Sequence, residues 1–286
     1  MKTSGEPATA AQALRRDADA PIFVAKRSMD DRHPARTPVT HSHAALAFYT
    51  GGHACIEQRG RWRLEPGDVL IVPAGEPHRR IEARRQEFWG LGFCVPCFAA
   101  DDGGRLLVPF ERVRSGGAAV VRIPAERHSF LEVLFQELED ASDPRRRDIP
   151  HAVQQSLLTL ILHEVQRAAR WDADPASPRS VVADSLGFIE RNCLRPLTLK
   201  EVAKAVGRSP AYVTTALTQA TGRSAVEWII AGRMAEARRL LLHSNETIDL
   251  VAERVGYADP THFIRMFQRA HGATPAAWRA AKPSSR

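Results

Sequence analysis

The sequence predicts an α+β chain of two domains: a small β-rich domain with trailing helices, then an all-α domain. Three observations carry this. Short apolar runs such as "LAFYT" and "DVLIVP", cut by Gly and Pro at short intervals, fill residues 21–123, the texture of a small β-barrel or sandwich. Beyond residue 123 the apolar residues fall at helical spacing instead. The last third of the chain repeats itself. "GRSPAYVTTALTQATGRSAVEW" (207–228) is echoed by "GYADPTHFIRMFQRAHGATPAAW" (256–278), and the short runs before them, "EVAKAVG" and "LVAERVG", match as well.

Taken in order, residues 1–20 are expected to form a flexible leader. They hold no continuous apolar run, so they predict neither a signal peptide nor a membrane anchor. Residues 21–171 form the first domain. Its trailing helices are read from Phe130, Leu131, Leu134, Phe135 and Leu138 in 126–141, and from Val153, Leu157, Leu158, Ile161, Leu162 and Val165 in 151–169. Pro144 and Pro150 bracket the break between them. "DADPASPRS" (172–180) reads as an interdomain linker. Residues 181–286 form the second domain, in which a longer helix from Val226 to His243 ties the two repeats together.

Composition narrows the function. With 44% hydrophobic and 26% charged residues the chain is an ordinary globular mixture, which excludes wholesale disorder. No stretch reaches the roughly 18 apolar residues of a membrane span, so no membrane partner is expected. Four cysteines (Cys55, Cys94, Cys97, Cys193) are too few for a disulfide scaffold, and a cytoplasmic, nucleoid-associated location is the expectation. Of the net charge of +7, +6 falls on residues 181–286. A basic module joined to a neutral one points to a polyanion as partner.

The local chemistry of each repeat marks a helix start. In "GRSPAYV", Ser209 caps a helix and Pro210 fits its first turn, where an amide hydrogen is unsatisfied anyway. Asp259 and Pro260 take those places in "GYADPTHF". Gly207 and Gly256 suit the turns after the shorter helices 199–206 and 248–255. Each unit therefore reads as helix, turn, capped helix, the helix-turn-helix pattern. Val213, Ala216 and Leu217 share the inner face of the first capped helix, as do Phe263, Met266 and Phe267 in the second. The outer faces carry Ala211, Thr214, Thr215 and Thr218, and Thr261, Ile264, Arg265 and Gln268. Ser209, Tyr212 and His262 lie at the helix starts. Neither outer face holds an acidic residue, which suits a helix entering the major groove of double-stranded DNA.

With "GRMAEARRLL" in the connecting helix, and "VAERVGY" and "FIRMFQRAHGATPAAWR" near the end, the paired units resemble the AraC/XylS family of bacterial transcription regulators over about residues 181–281. The resemblance implies two recognition helices in successive major-groove segments, about one turn apart. It further implies an activator that contacts RNA polymerase, and a homodimer formed through the apolar stripe of 151–169, the alternative for that stripe being packing on its own barrel. One departure stands out. The family often has Arg or Lys where Thr215 stands, and a bulky aromatic where Leu217 stands. The first helix is therefore expected to give modest contacts and Arg265 to be the dominant base reader, toward guanine.

In the first domain, "HSH" (41–43) and "GDVLIVPAGEPH" (67–78) resemble the two motifs of the cupin β-barrel, though the carboxylate expected after the histidine pair is replaced by Ala47 and Phe48. A cupin-like effector-binding and dimerisation domain is the expected reading. His41, His43 and His78 line its pocket, and Trp62 supplies an aromatic wall alongside Phe48, Phe88 and Trp89. The effector is a small molecule. No cofactor is expected, although the three histidines are also the candidates for a metal with an open position. No acid-base pair is readable, so the chain is not expected to be an enzyme. The alternatives are a metal-dependent cupin enzyme with a nucleic-acid tether, a ligand-independent regulator, and a thiol-redox sensor using the CxxC pair Cys94 and Cys97.

Overall fold

Six strands form one antiparallel sheet in this computed structural model: β1 (Ile22–Asp31), β2 (Ala44–Glu57), β3 (Arg61–Leu64), β4 (Asp68–Val72), β5 (Arg79–Phe93) and β6 (Val120–Arg122). The structure describes residues 21–31, 33–99, 103–143, 149–169 and 180–281. The expected leader (1–20), the linker up to residue 179, Pro144 and the final residues 282–286 lie outside the described residues. The sheet is built on its two longest strands. β2 and β5 pair from Ala44–Phe93 to Glu57–Arg79, with register shifts near Gly51 and between Cys55 and Ile56. The order is β1-β5-β2-β4-β6, with β3 on the far part of β2.

Burial alternates along the first half of β2, where Ala44, Leu46 and Phe48 turn inward. This period of two is what a sheet with one covered face requires. The cover comes from α3 (His128–Ser142) and α4 (His151–Ala168). Phe135 stacks on Phe48 and Trp89 with ring centroids 6.0 and 5.9 Å apart, joining helix to sheet. The helical spacing read from the sequence holds for Leu131, Leu134, Leu138, Leu158, Ile161, Leu162 and Val165, all buried. Phe130 and Val153 are exposed instead. They sit at the margins of stripes wider than the sheet can cover.

A strand-rich reading up to residue 123 overlooks a helical insert. Between β5 and β6 come α1 (Val95–Ala99), a 3₁₀ turn (Gly103–Leu107) and α2 (Val108–Arg114). The prolines that suggested strand breaks, Pro96 and Pro109, instead occupy first helical turns, where the missing N–H costs nothing.

The second domain is all helix: α5 (Val181–Asn192), α6 (Leu199–Ala205), α7 (Pro210–Thr221), α8 (Ala225–His243), α9 (Ile248–Arg254), α10 (Pro260–His271) and α11 (Pro275–Ala281). Reciprocal capping boxes start α6 (Thr198 with Glu201) and α8 (Ser224 with Glu227). Two cores form, one around Val202, Val213, Leu217 and Trp228, the other around Leu241, Val251, Phe263 and Phe267.

Burial predicts the response to truncation. Phe135→Ala should destabilise the first domain by about 3–5 kcal/mol, while Phe130→Ala should cost less than about 1 kcal/mol. Urea unfolding followed by circular dichroism checks the contrast.

Candidate nucleic-acid interface

The two helix-turn-helix units are built alike to the level of single positions. Gly207 and Gly256 end α6 and α9 in the left-handed region, at φ 65° and 82°, where an L side chain is strained. The Ser209 hydroxyl then accepts the Tyr212 N–H (3.2 Å), and the Asp259 carboxylate accepts the Thr261 N–H (2.8 Å). These caps launch α7 and α10 with Pro210 and Pro260 in the first turn. Over residues 211–220 and 261–270 the two helices then have the same sequence of exposed, half-buried and buried positions.

That sequence sorts the candidate readers. Ala211, Tyr212, Thr215 and Thr218 are exposed on α7, and Thr261, His262, Arg265 and Gln268 on α10. Thr214 and Ile264 hold equivalent half-buried positions, and Ile264 packs against the second core. An outward role for Ile264 is thus reduced to its rim, because an apolar side chain beside Phe263 and Phe267 gains more from burial than from water. Ala216 and Met266, read as core, are half-buried. Tyr212 is 54% exposed. His262 rests edge-on against Tyr257, centroids 5.4 Å apart. Arg208, Arg223 and Arg269 are also exposed around these helices. Arg208 and Arg223 lie in the turns beside these helices and Arg269 in the last turn of α10, away from the helix starts that the motif marks.

The candidate effector residues divide. His41 and His43 stack at 4.1 Å and His78 meets His41 edge-on at 5.1 Å. The Nδ1 of His41 lies 2.6 Å from the His43 carbonyl and that of His78 lies 3.1 Å from the Glu76 carbonyl. A carbonyl can only accept, so both Nδ1 atoms carry the hydrogen. Burial holds His41 well below the ordinary imidazole value, helped by its two neighbours. His43 is brought to about 4 by burial and by His78. His78 is lowered by burial, against the opposing pull of Glu76. Among the described residues no group of three or more His, Cys, Asp or Glu side chains is arranged to hold a metal ion. Trp62 stands apart on β3, its indole N–H donating to the Gln58 carbonyl at 3.0 Å. Cys94 and Cys97 are joined as a disulfide, and both are buried.

The histidines sit where the domains meet. A cavity of about 710 Å³ opens between them, lined by Phe23, His43 and Pro96 on one side and by Trp228, Met266 and Arg269 on the other. No helix among the described residues is long and apolar enough to cross a membrane.

Two capped helices presented on a basic helical domain define a DNA-binding regulator. A family described as "Helix-turn-helix domain" matches residues 202–281. The HTH-type transcriptional regulator YobQ of Bacillus subtilis (strain 168) is 32% identical over 240 residues, 84% of this chain and 87% of that protein. YisR of the same organism is 28% identical over 171 residues, 59% of this chain and 58% of that protein. The arabinose operon regulatory protein of Escherichia coli (strain K12) is 25% identical over 247 residues, 80% and 77% of the two chains. The chain belongs to the AraC/XylS family of transcription regulators.

Because the histidine cluster is neutral when folded, acid should weaken the fold. A depressed histidine pKa contributes stability in full above about 6.5, and that contribution falls as pH drops toward about 4. Glu164, Glu201 and Glu227, held low by hydrogen bonds and Arg charges, lose theirs only below their ordinary 4.5. The melting temperature should therefore fall between pH 7 and pH 5, and His43→Gln should flatten that slope. An equal slope in the variant would contradict the assignment.

Proposed function

We propose that the exposed faces of α7 and α10 enter successive major-groove segments on one side of a DNA duplex, about one helical turn apart. The matched exposure of the two helices carries this reading. Arg265 is the dominant base-reading side chain, directed at guanine. Thr215 and Thr218 give the first helix softer contacts to thymine methyls, with Ala211, Thr261 and Gln268 alongside. Arg208 holds a phosphate and so sets position without sequence.

The N-terminal domain acts as the sensor in this reading. A small-molecule effector seats at the interdomain cavity beside His43 and shifts the population of domain arrangements. The support is the position of that cavity, bounded by His43 of the histidine cluster and by the second recognition helix. The domain binds and does not catalyse, and the chain works in the cytoplasm, where its DNA is. It acts as an activator through RNA polymerase and as a homodimer. The exposed Phe130, Val133, Val153 and Leu160 of α3 and α4 offer the apolar face for the second copy.

Selection of genomic DNA fragments by the full chain at near-physiological salt tests the DNA reading, since low salt favours sequence-blind binding. The native protein should recover a motif of two short blocks. Arg265→Ala should lose discrimination at one position of one block, by about 1–3 kcal/mol. A uniform loss of affinity across all sequences would reassign Arg265 to a phosphate.

A further inference from the structure

The segment "PAGEPH" (73–78) was the closest match to a metal-binding cupin motif, yet the structure uses it differently. Its tip leaves the first domain. Ala74 is 2% exposed and belongs to the core of the first helix-turn-helix unit, beside Leu186 and Trp228. Gly75 follows at φ 77°, and a Cβ there would lie 3.0 Å from both the Leu186 Cδ1 and the Trp228 Cζ2. A side chain here is strained by the backbone conformation and would push Leu186 and Trp228 back by a few tenths of an ångström.

The loop is held on both sides. Gly75 N–H donates to the His41 carbonyl at 2.8 Å, tying the tip to the histidine cluster. Arg59 holds Glu76 at 2.6 Å and also donates to the Arg114 carbonyl at 2.6 Å. Arg114, 5% exposed, donates to the Ala74 carbonyl at 3.3 Å and to both carboxylate oxygens of Glu190 on α5, at 2.7 and 2.8 Å. A bidentate buried pair of this kind fixes geometry, and removing one partner leaves the other charge stranded.

From the loop a continuous path reaches the recognition helix. The Trp228 indole that faces Gly75 donates to the Thr221 hydroxyl at 3.0 Å. Thr221 in turn donates to the Leu217 carbonyl at 2.8 Å, in the last turns of α7. By contrast, among the described residues the core of the second unit contains none from the first domain. Met266 and Arg269 of α10 face that domain across the cavity. The second unit meets the first domain through side-chain stacking instead, where His243 at the end of α8 lies on His151 of α4 with ring centroids 4.2 Å apart.

We propose that the loop 73–78 is the coupling joint of the molecule, locking the histidine cluster and the first helix-turn-helix unit into one cooperative body. The joint takes its regulatory meaning from the sensing reading, but its existence does not depend on any effector. Coupling between sites is reciprocal, so DNA on the reader must be felt at the histidines. DNA therefore serves as the probe.

The test is hydrogen exchange on the full chain, with and without a duplex recovered by fragment selection. In the native protein the duplex should slow exchange in 211–221 and also change it in 39–43 and 73–78. The native chain should melt in a single transition. In Gly75→Val the first effect should remain, the second should vanish, and the melt should split in two. Glu190→Gln, across the interface from the loop, should act in the same direction and decides the matter if Gly75→Val fails to fold. Protection confined to the second domain in the native protein would overturn the joint. So would a variant that keeps one transition and the native exchange pattern. A failed search for effectors touches only the sensing reading.

Discussion

Everything the second domain does depends on one rigid helix. α8 runs through both cores, giving Trp228 and Ile229 to the first and Met234, Leu240 and Leu241 to the second. Its 19 residues span roughly 28 Å, of the same order as the ~34 Å turn of a DNA duplex. Near its middle Arg233 is buried. Its guanidinium donates to the Cys193 and Arg195 carbonyls at 2.7 and 2.9 Å and lies 5.0 Å from the Tyr257 ring centre. An unpartnered charge there would carry a severe desolvation penalty. Satisfied by backbone on one side and an aromatic face on the other, it pins the end of α5 to the turn before α10. The spacing of the two readers is set by this arrangement rather than by a flexible connection.

The readers hung on that helix are unequal. α7 presents small side chains and hydroxyls, and α10 presents an arginine with a glutamine three residues further along, on the same side of the helix. The neutral reader is the one bound to the N-terminal domain, through Ala74, Gly75 and the Arg114–Glu190 pair. The charged reader looks across an open cavity.

Much of this is legible in the sequence alone. The repeat, the caps at Ser209 and Asp259, and the turn glycines depend on chemistry within a few residues, and local rules recover them. Core periodicity in α3 and α4 was readable too, but which stripe edges stay open was not, because Phe130 and Val153 differ from their buried neighbours only in what packs over them. The insert of α1 and α2 was hidden by prolines that fit a first helical turn as well as a strand break. Ile264 looked like a reader because a helix wheel does not show how far a core extends. The histidine motif was recognised as a shape and missed as a joint. Ala74 and Gly75 have their purpose in Leu186 and Trp228, more than a hundred residues away, and no spacing rule links them. Trp62 was grouped with the histidines on aromatic character alone, and the sheet places it elsewhere.

The central claim is that one chain reads two grooves through two geometrically matched helices. Methylation interference at guanine N7 on a selected duplex addresses it most directly, because that atom lies in the major groove. The account predicts two clusters of interfering positions on one face of the duplex, about one helical turn apart, with the stronger cluster lost in Arg265→Ala. A single cluster in the native complex would contradict it.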